Sequence, residues 1–179
     1  MKFNPFPELK TERLLLRKFK ESDVDVILYL RSDRIVNEFI VRPEDRKTRN
    51  KADALTFIQE INAGIENHKL ITWGITLKNS PNIIGTICLW NFSKNNKTAE
   101  VGYDLDPLYQ GKGIMSEALR IVTSFAFTEL NLDKMEAFTH RENRNSKMLL
   151  QKNGFNLDTD RRDENNLSNI IFEINNPLL

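Results

Sequence analysis

Apolar residues recur along this chain with two periods, and the switches between them outline a succession of strands and helices. The leucines within residues 13–17 predict a strand. Ser22 then opens a helix to about Leu30, with Ser22 and Asp25 at the spacing of a capping box. Residues 42–50 are charged and contain Pro43, which predicts a loop. Ala54, Leu55, Ile58, Ile61 and Ile65 return at helical spacing, in a helix expected to end near residues 64–67. Two apolar, β-branched segments, 73–77 and 83–90, flank Asn79-Ser80-Pro81-Asn82 and read as a hairpin. The polar turn Asn95-Asn96-Lys97 leads into another strand over 99–105. An amphipathic helix over 114–130 sets Ile114, Ala118, Ile121, Val122 and Phe125 on one side, where core packing is their default role. A strand at 135–139, a short helix at 146–153 closed by Gly154, and a strand at 169–174 complete the pattern. No repeat, low-complexity run or linker interrupts it, so residues 1–179 are expected to form a single α/β domain.

The junction between the strand 99–105 and the long helix carries the strongest chemical signal. Gly111 and Gly113 let a backbone approach a ligand with no Cβ in the way. The unpaired N–H groups and positive dipole of the helix start then favour a phosphate there. The same glycines would also suit a tight turn with no ligand. The spacing Gly111-x-Gly113-x-x-Ser116, with Asp133 about 20 residues on, imitates a dinucleotide-binding fingerprint. That reading fails because the third glycine is absent and too little chain follows for a doubly wound sheet. A P-loop is excluded by the missing Gly-Lys-Ser/Thr.

Composition narrows the partners. With 26 Lys plus Arg against 25 Asp plus Glu, bulk charge gives no reason to expect nucleic-acid binding. Cys88 is the only cysteine; it excludes an internal disulfide, fits a reducing compartment, and in an apolar run is a poor nucleophile. One cysteine and two histidines, His68 and His140, give no expectation of a metal site. Residues 1–7 lack a signal pattern, and no apolar stretch approaches the roughly 20 residues of a membrane helix. A cytoplasmic protein without membrane attachment is expected.

Gln110-Gly111-Lys112-Gly113-Ile114-Met115 resembles the Gln/Arg-x-x-Gly-x-Gly/Ala coenzyme A loop of the GNAT superfamily of N-acetyltransferases, with Met115 in place of the last small residue. Asn143-Arg144-Asn145-Ser146, followed by Leu149, Lys152 and Gly154-Phe155, is similar to the family's Asn-x-x-Ser segment ending in Lys-x-Gly-Phe. Residues 9–17 with Asp23, Ile83-Ile84-Gly85-Thr86-Ile87 and Ala99-Glu100-Val101-Gly102-Tyr103 resemble the RimJ/RimL-type branch, which acetylates ribosomal-protein N-termini. The resemblance covers nearly the whole chain, in order. It implies a mixed, mostly antiparallel central sheet with two splayed parallel strands, flanked by helices. It also implies acetyl-CoA as co-substrate, threaded between the strands 99–105 and 135–139 and pairing like an added strand. Asp104 and Leu105 would then give main-chain contacts, and Gln110, Gly111, Lys112, Gly113, Ile114 and Met115 would hold the pyrophosphate. Lys112 would add charge or simply be solvated, and Asn143 would orient pantetheine. The implied acceptor is a ribosomal-protein-like N-terminal amine; a small-molecule amine is the alternative. A non-catalytic acetyl-CoA-binding module is the rival from another class. Monomer and homodimer both remain open.

For catalysis, Glu100 is the candidate base. It alternates with Ala99 and Val101 and so projects from the opposite face, and the branch often carries an acid here. An α-amine with pKa of about 7.7 to 8.0 needs less help losing its proton than lysine at about 10.4, so a carboxylate acting through one water suffices. The plain alternative is a rim carboxylate paired with a surface lysine. Ser146 is the candidate to protonate the departing thiolate, although Ser146 and Asn143 would both also suit helix capping. Many family members carry a tyrosine acid four residues before the closing glycine; Leu150 stands there, leaving Ser146 or water. Gly102 marks either a bulge or a close approach of strands. Phe39, Arg42, Trp90 and Asn91 are candidates for the acceptor site, and His140 is read as structural.

Overall fold

Alternating apolar residues make the central strands two-sided, and each side needs its own helical cover. A computed structural model describes residues 3–177. In chain order it contains β1 (Leu9–Lys10), β2 (Leu14–Arg17), α1 (Val24–Ser32), α2 (Lys51–Glu66), β3 (Ile71–Leu77), β4 (Ile83–Trp90), β5 (Thr98–Leu105), α3 (Ile114–Thr128), β6 (Lys134–His140), α4 (Arg144–Lys152), β7 (Asn156–Asp158) and β8 (Asn169–Asn175). The strands form one eight-stranded sheet in the order β1-β2-β3-β4-β5-β6-β8-β7. Every neighbouring pair is antiparallel except β5 and β6.

One face of the sheet presents Trp73, Ile75, Ile87, Leu89, Ala99, Val101 and Met135 to Ala118, Leu119, Val122 and Ala126 of α3. Trp73 is fully buried, and its indole N–H donates to the Pro7 carbonyl at 2.7 Å, so its one polar atom is satisfied inside the core. On the other face, Phe19 and Ile83 pack against Ile27 and Leu30 of α1 and Ala54 and Ile58 of α2. Among the described residues no helix is long and apolar enough to cross a membrane.

Local differences from the sequence pattern have physical causes. The Ser22 capping box does not form. A 3₁₀ turn, Glu21–Asp23, precedes α1, and Ser22 is exposed. Asp23 is drawn inward because both its oxygens meet the buried Arg17 guanidinium at 2.8 Å, while it also accepts the Lys20 N–H at 2.7 Å. Burial pushes this carboxyl upward, but the Arg17 and Lys20 contacts outweigh it and hold the group below its ordinary value. The loop 42–50 contains one 3₁₀ turn, Glu44–Arg46. β1 and β7, of two and three residues, are too short to leave a periodic signal. α4 starts at Arg144, earlier than Ser146, because Asn143 caps it and accepts the Ser146 N–H at 3.0 Å.

The functional consequence lies between β5 and β6. Their parallel ladder has three pairs, Thr98↔Lys134, Ala99↔Met135 and Glu100↔Glu136, and then stops. β5 nonetheless stays paired with β4 through Leu105, and β6 with β8 through His140. Beyond Glu100 the two strands therefore diverge as intact strands, each turning an unpaired edge toward the other.

Candidate active site

The loop after β5 is built by its own caps. Asp106 accepts the Leu108 N–H at 2.9 Å and sets a 3₁₀ turn, Pro107–Tyr109. Gly111 and Gly113 follow with φ of 72° and 73°, in the left-handed region that L side chains avoid. A Cβ on Gly111 would meet nothing within 4 Å, so this glycine serves conformation and open access, not packing. Gly113 caps α3, and the first backbone bond into that helix runs from the Glu117 N–H to the Gly113 carbonyl at 3.1 Å. The preceding N–H groups of Ile114, Met115 and Ser116 have no helical acceptor. Ile114 and Met115 bury their side chains, so Met115 in place of a small residue leaves the N–H side of the loop open. Arg13 braces the loop from β2's side: it pairs with Glu117 at 2.6 Å and donates to the Lys112 carbonyl at 3.1 Å. Gln110 and Lys112 are turned back on the preceding turn. The Gln110 amide donates to the Leu105 carbonyl at 3.1 Å and the Lys112 ammonium to the Leu108 carbonyl at 2.8 Å. The loop thus offers main-chain N–H groups and helix dipole to an anion, and the Leu105 carbonyl is engaged within the protein.

Tyr103 and Ser146 span the divergence of β5 and β6. Their hydroxyls lie 2.9 Å apart. Burial pushes the Tyr103 hydroxyl up to about 12, only partly offset by Ser146, so it is a proton-bearing group at neutral pH. Asn143 joins this cluster through its cap on Ser146. Leu150, at the position where the family pattern carries tyrosine, is fully buried in the core. A phenol reaches the gap from the neighbouring strand. The sequence signal for it was the alternation that puts Tyr103 opposite Glu100, toward the helix carrying Ser146.

Glu100 sits where the ladder ends, on the face toward α1 and α2. It accepts a hydrogen bond from the Asn91 amide, and no lysine pairs with it. Burial raises its pKa above the ordinary 4.5, Asn91 opposes that, and the charges of Glu136 and Asp163 add to it. Glu136 is its direct cross-strand partner but has a different environment. Arg161 at 2.5 Å and Lys134 at 2.8 Å hold it, and they outweigh burial to keep it below its ordinary value. Two adjacent carboxylates are therefore pushed apart, with Glu136 fixed as an anion and Glu100 made more basic. Asp104, on the same face, accepts the Thr86 N–H at 3.1 Å. Burial raises it to about 6 against the Thr86, Arg42 and Arg31 contributions.

The strands around Gly102 keep regular register with β4, so there is no bulge. A Cβ on Gly102 would approach Cys88 Sγ to 3.3 Å, which makes close packing the reason for glycine. Burial pushes the Cys88 thiol up to about 12, which leaves it no role as a nucleophile. His140 packs its ring 5.3 Å from Phe39 and accepts the Glu142 N–H at 3.2 Å, a structural setting. A cavity of about 2630 Å³ connects the glycine loop, the Tyr103–Ser146 pair, Glu100, Trp90 and the arginines of the α1–α2 region.

A phosphate-ready helix start beside a strand pair that opens onto protonated hydroxyls and a raised carboxylate defines an acyltransferase that takes its acyl group from a coenzyme A thioester. The acetyltransferase (GNAT) domain family matches residues 13–156, and the chain belongs to this family; it is an acetyl-CoA-dependent N-acetyltransferase. It is 30% identical over 151 residues to the uncharacterized N-acetyltransferase YoaA of Bacillus subtilis (strain 168), covering 84% of this chain and 83% of that protein. Over 76 residues, 42% of each chain, it is 34% identical to the ribosomal-protein-serine acetyltransferase of Escherichia coli (strain K12). Among solved structures, the ribosomal-protein-S5-alanine acetyltransferase from Vibrio fischeri shares the fold. Its TM-score is 0.81 at 22% identity, covering 96% of this chain and 97% of that one.

Proposed function

We propose that the protein acetylates the α-amino group of a protein N-terminus in the cytoplasm, by direct attack of the amine within a ternary complex. The observation that carries this reading is the split pair Glu100 and Glu136 at the mouth of the strand opening. One carboxylate is held ionised by Arg161 and Lys134, and the other is raised toward the range of a useful base. The partial match to a ribosomal-protein-serine acetyltransferase is in keeping with this acceptor class, and a match of similar extent, 30% over 74 residues, to the spermidine N(1)-acetyltransferase of Escherichia coli (strain K12) keeps a polyamine as the alternative.

The co-substrate supplies an acetyl group activated as a thioester, and the site's residues fit it. The N–H groups after Gly113 meet the pyrophosphate, and the unpaired edge of β5 from Val101 meets the pantetheine. Gly111 leaves the approach clear. Asn143 orients the arm beside the α4 start. Glu100 takes the ammonium proton through one water, which frees the nitrogen lone pair to form the new C–N bond. Ser146 gives its hydroxyl proton to the sulfur as the C–S bond breaks, and Tyr103 replaces that proton across their 2.9 Å contact. The second proton of the attacking nitrogen, lost as the neutral amide forms, returns through water to Tyr103, so one amine proton ends on Glu100 and the other on the released thiol. Holding the reactants in line supplies most of the rate, and no acetylated enzyme residue is needed.

The test is thiol release by the purified protein from acetyl-CoA with N-terminal peptides, peptides whose only amine is a lysine side chain, and polyamines. At least tenfold higher kcat/KM for N-terminal peptides is expected. A higher value for polyamines would replace this acceptor with a small amine, and no release with any amine would leave a binding module.

A further inference from the structure

Two arginines in the wall of this cavity are not used by the chemistry above. Arg31, in the last turn of α1, lies 3.7 Å over the Phe57 ring and donates to Thr48 Oγ1 at 2.8 Å and to the Arg46 carbonyl at 2.9 Å. Arg42 donates to the Asn37 side-chain carbonyl. Both guanidinium groups are half-buried, both line the cavity, and neither has a carboxylate within ion-pair distance among the described residues. Arg17 shows what the fold does elsewhere with a buried guanidinium: both oxygens of Asp23 meet it. A buried cation without such a partner is costly, and a second one nearby adds repulsion. Burial first and the Arg42 charge second push the Arg31 guanidinium down to about 10. Asp104 and Glu60 offset Arg31, and Asp104 offsets Arg42, only from beyond contact, and Arg46 adds to the positive side. The cavity lining mixes apolar side chains with charged ones, among them Glu100 and Glu136 beside the strand opening and Arg31 and Arg42 in the α1–α2 wall.

We propose that Arg31 and Arg42 bind an anionic group of the acceptor, a carboxylate or a phosphate, carried a few residues beyond the amine that is acetylated. This inference rests on the N-terminal acceptor reading. The spacing follows from β5. Glu100 and Asp104 lie four residues apart on one face, about 13 Å at the usual strand rise. Both arginines act on Asp104, which places them at its end of the strand. An extended peptide advances at most about 3.3 to 3.6 Å per residue, so a side chain at position 4 or 5 spans that distance from an N-terminal amine at Glu100. Arg31 keeps its Nη1 group for a ligand and Arg42 its Nε and Nη2 edge, and charged donors of this kind suit a planar carboxylate or a phosphate better than a neutral amide.

The experiment compares acceptor peptides identical except at positions 4 and 5, which carry Glu, Gln, phosphoserine or Lys, with wild type, Arg42→Gln and Arg31→Lys. Wild type should use the Glu peptides at least tenfold better in kcat/KM than the Gln peptides, and Lys peptides worst. The phosphoserine arm shows which anion is preferred. In Arg42→Gln the Glu-to-Gln ratio should fall to within twofold, and a ratio between two readings of one protein preparation is insensitive to partial unfolding. Arg31→Lys, which keeps charge but loses the planar fork, should retain part of the preference. Equal use of Glu and Gln peptides by wild type, with good acetylation of both, overturns the anion site and leaves the acceptor class standing. If no peptide is acetylated, the acceptor class falls. The anion site is then judged on small amines with and without a carboxylate, and equal use of those overturns it.

Discussion

Replacing Glu100 with Gln keeps the shape of the side chain and its ability to bond Asn91, and removes its basicity. The size of the effect depends on how much of the acceptor is already neutral. An α-amine with pKa of about 8 is roughly 1% neutral at pH 6, about 10% at pH 7 and about 90% at pH 9. A residue whose task is to remove that proton is therefore worth up to about 100-fold at pH 6 through the neutral fraction alone, and that benefit shrinks toward pH 9. General-base assistance in the reaction itself adds to this, within the usual 10²- to 10⁴-fold, or about 2.7 to 5.5 kcal/mol. We expect kcat/KM for an N-terminal peptide to fall by roughly 10²- to 10⁴-fold near pH 6 to 7, with the deficit narrowing as pH rises past 8. Acetyl-CoA affinity should barely change, because the carboxylate sits on the opposite face of β5 from Tyr103 and away from the glycine loop. Arg161→Gln is the matched control. It loosens the cation that keeps Glu136 ionised, so the acid limb of the wild-type profile, already above 4.5, should move, which a purely steric role for Glu100 would not produce. A Glu100→Gln deficit that stays constant from pH 6 to 9, or that appears only in the acceptor KM, would show that Glu100 binds the ammonium and does not accept its proton.

Gly113→Asp places a side chain at φ 73° and a negative charge on the anion side of the loop, and calorimetry should show acetyl-CoA bound at least tenfold more weakly, about 1.4 kcal/mol. Tyr103→Phe and Ser146→Ala should each lower kcat in single-turnover measurements with little change in acetyl-CoA KM. The double variant should be no worse than the poorer single one, because the two hydroxyls act as one relay. Asp23→Asn leaves the buried Arg17 without its anion and should cost about 3 to 5 kcal/mol in denaturant unfolding. Because Asp23 has a lowered folded pKa, its contribution is fully present above the unfolded value near 3.8 and is lost as pH falls through the lower folded one, an acid limb the variant should lack.

What could be read from the sequence was what local physics decides. The glycine pair reads as a turn open to close backbone approach, which positive φ at both positions bears out, and the apolar face of α3 needed only a sheet to cover. The hairpin between β3 and β4 was marked by its own turn residues. The Ser22 misreading turned on a contact outside the helix it was meant to cap. Ser22 had the right spacing for a cap, but Asp23 answers to Arg17 and not to the helix. Gly102 reads equally as a bulge or as a close approach of strands; the regular β4–β5 register and the 3.3 Å that a Cβ would leave to Cys88 Sγ favour the second.

The same reasoning explains why a missing tyrosine at position 150 was misleading about the acid. A proton donor is defined by where its oxygen arrives, and two elements bordering one gap can each deliver it. Leu150 faces the core because α4 must bury that side against α3 and the sheet, while β5, with one edge freed beyond Glu100, can turn Tyr103 toward the start of α4. The freed edge thus does two things at once: it opens unpaired backbone to a pantetheine chain, and it lets a strand residue reach Ser146, 43 positions away. A β5–β6 ladder continued past Glu100 would close both. On the proposed mechanism, position 103 supplies the phenol because the strands diverge there.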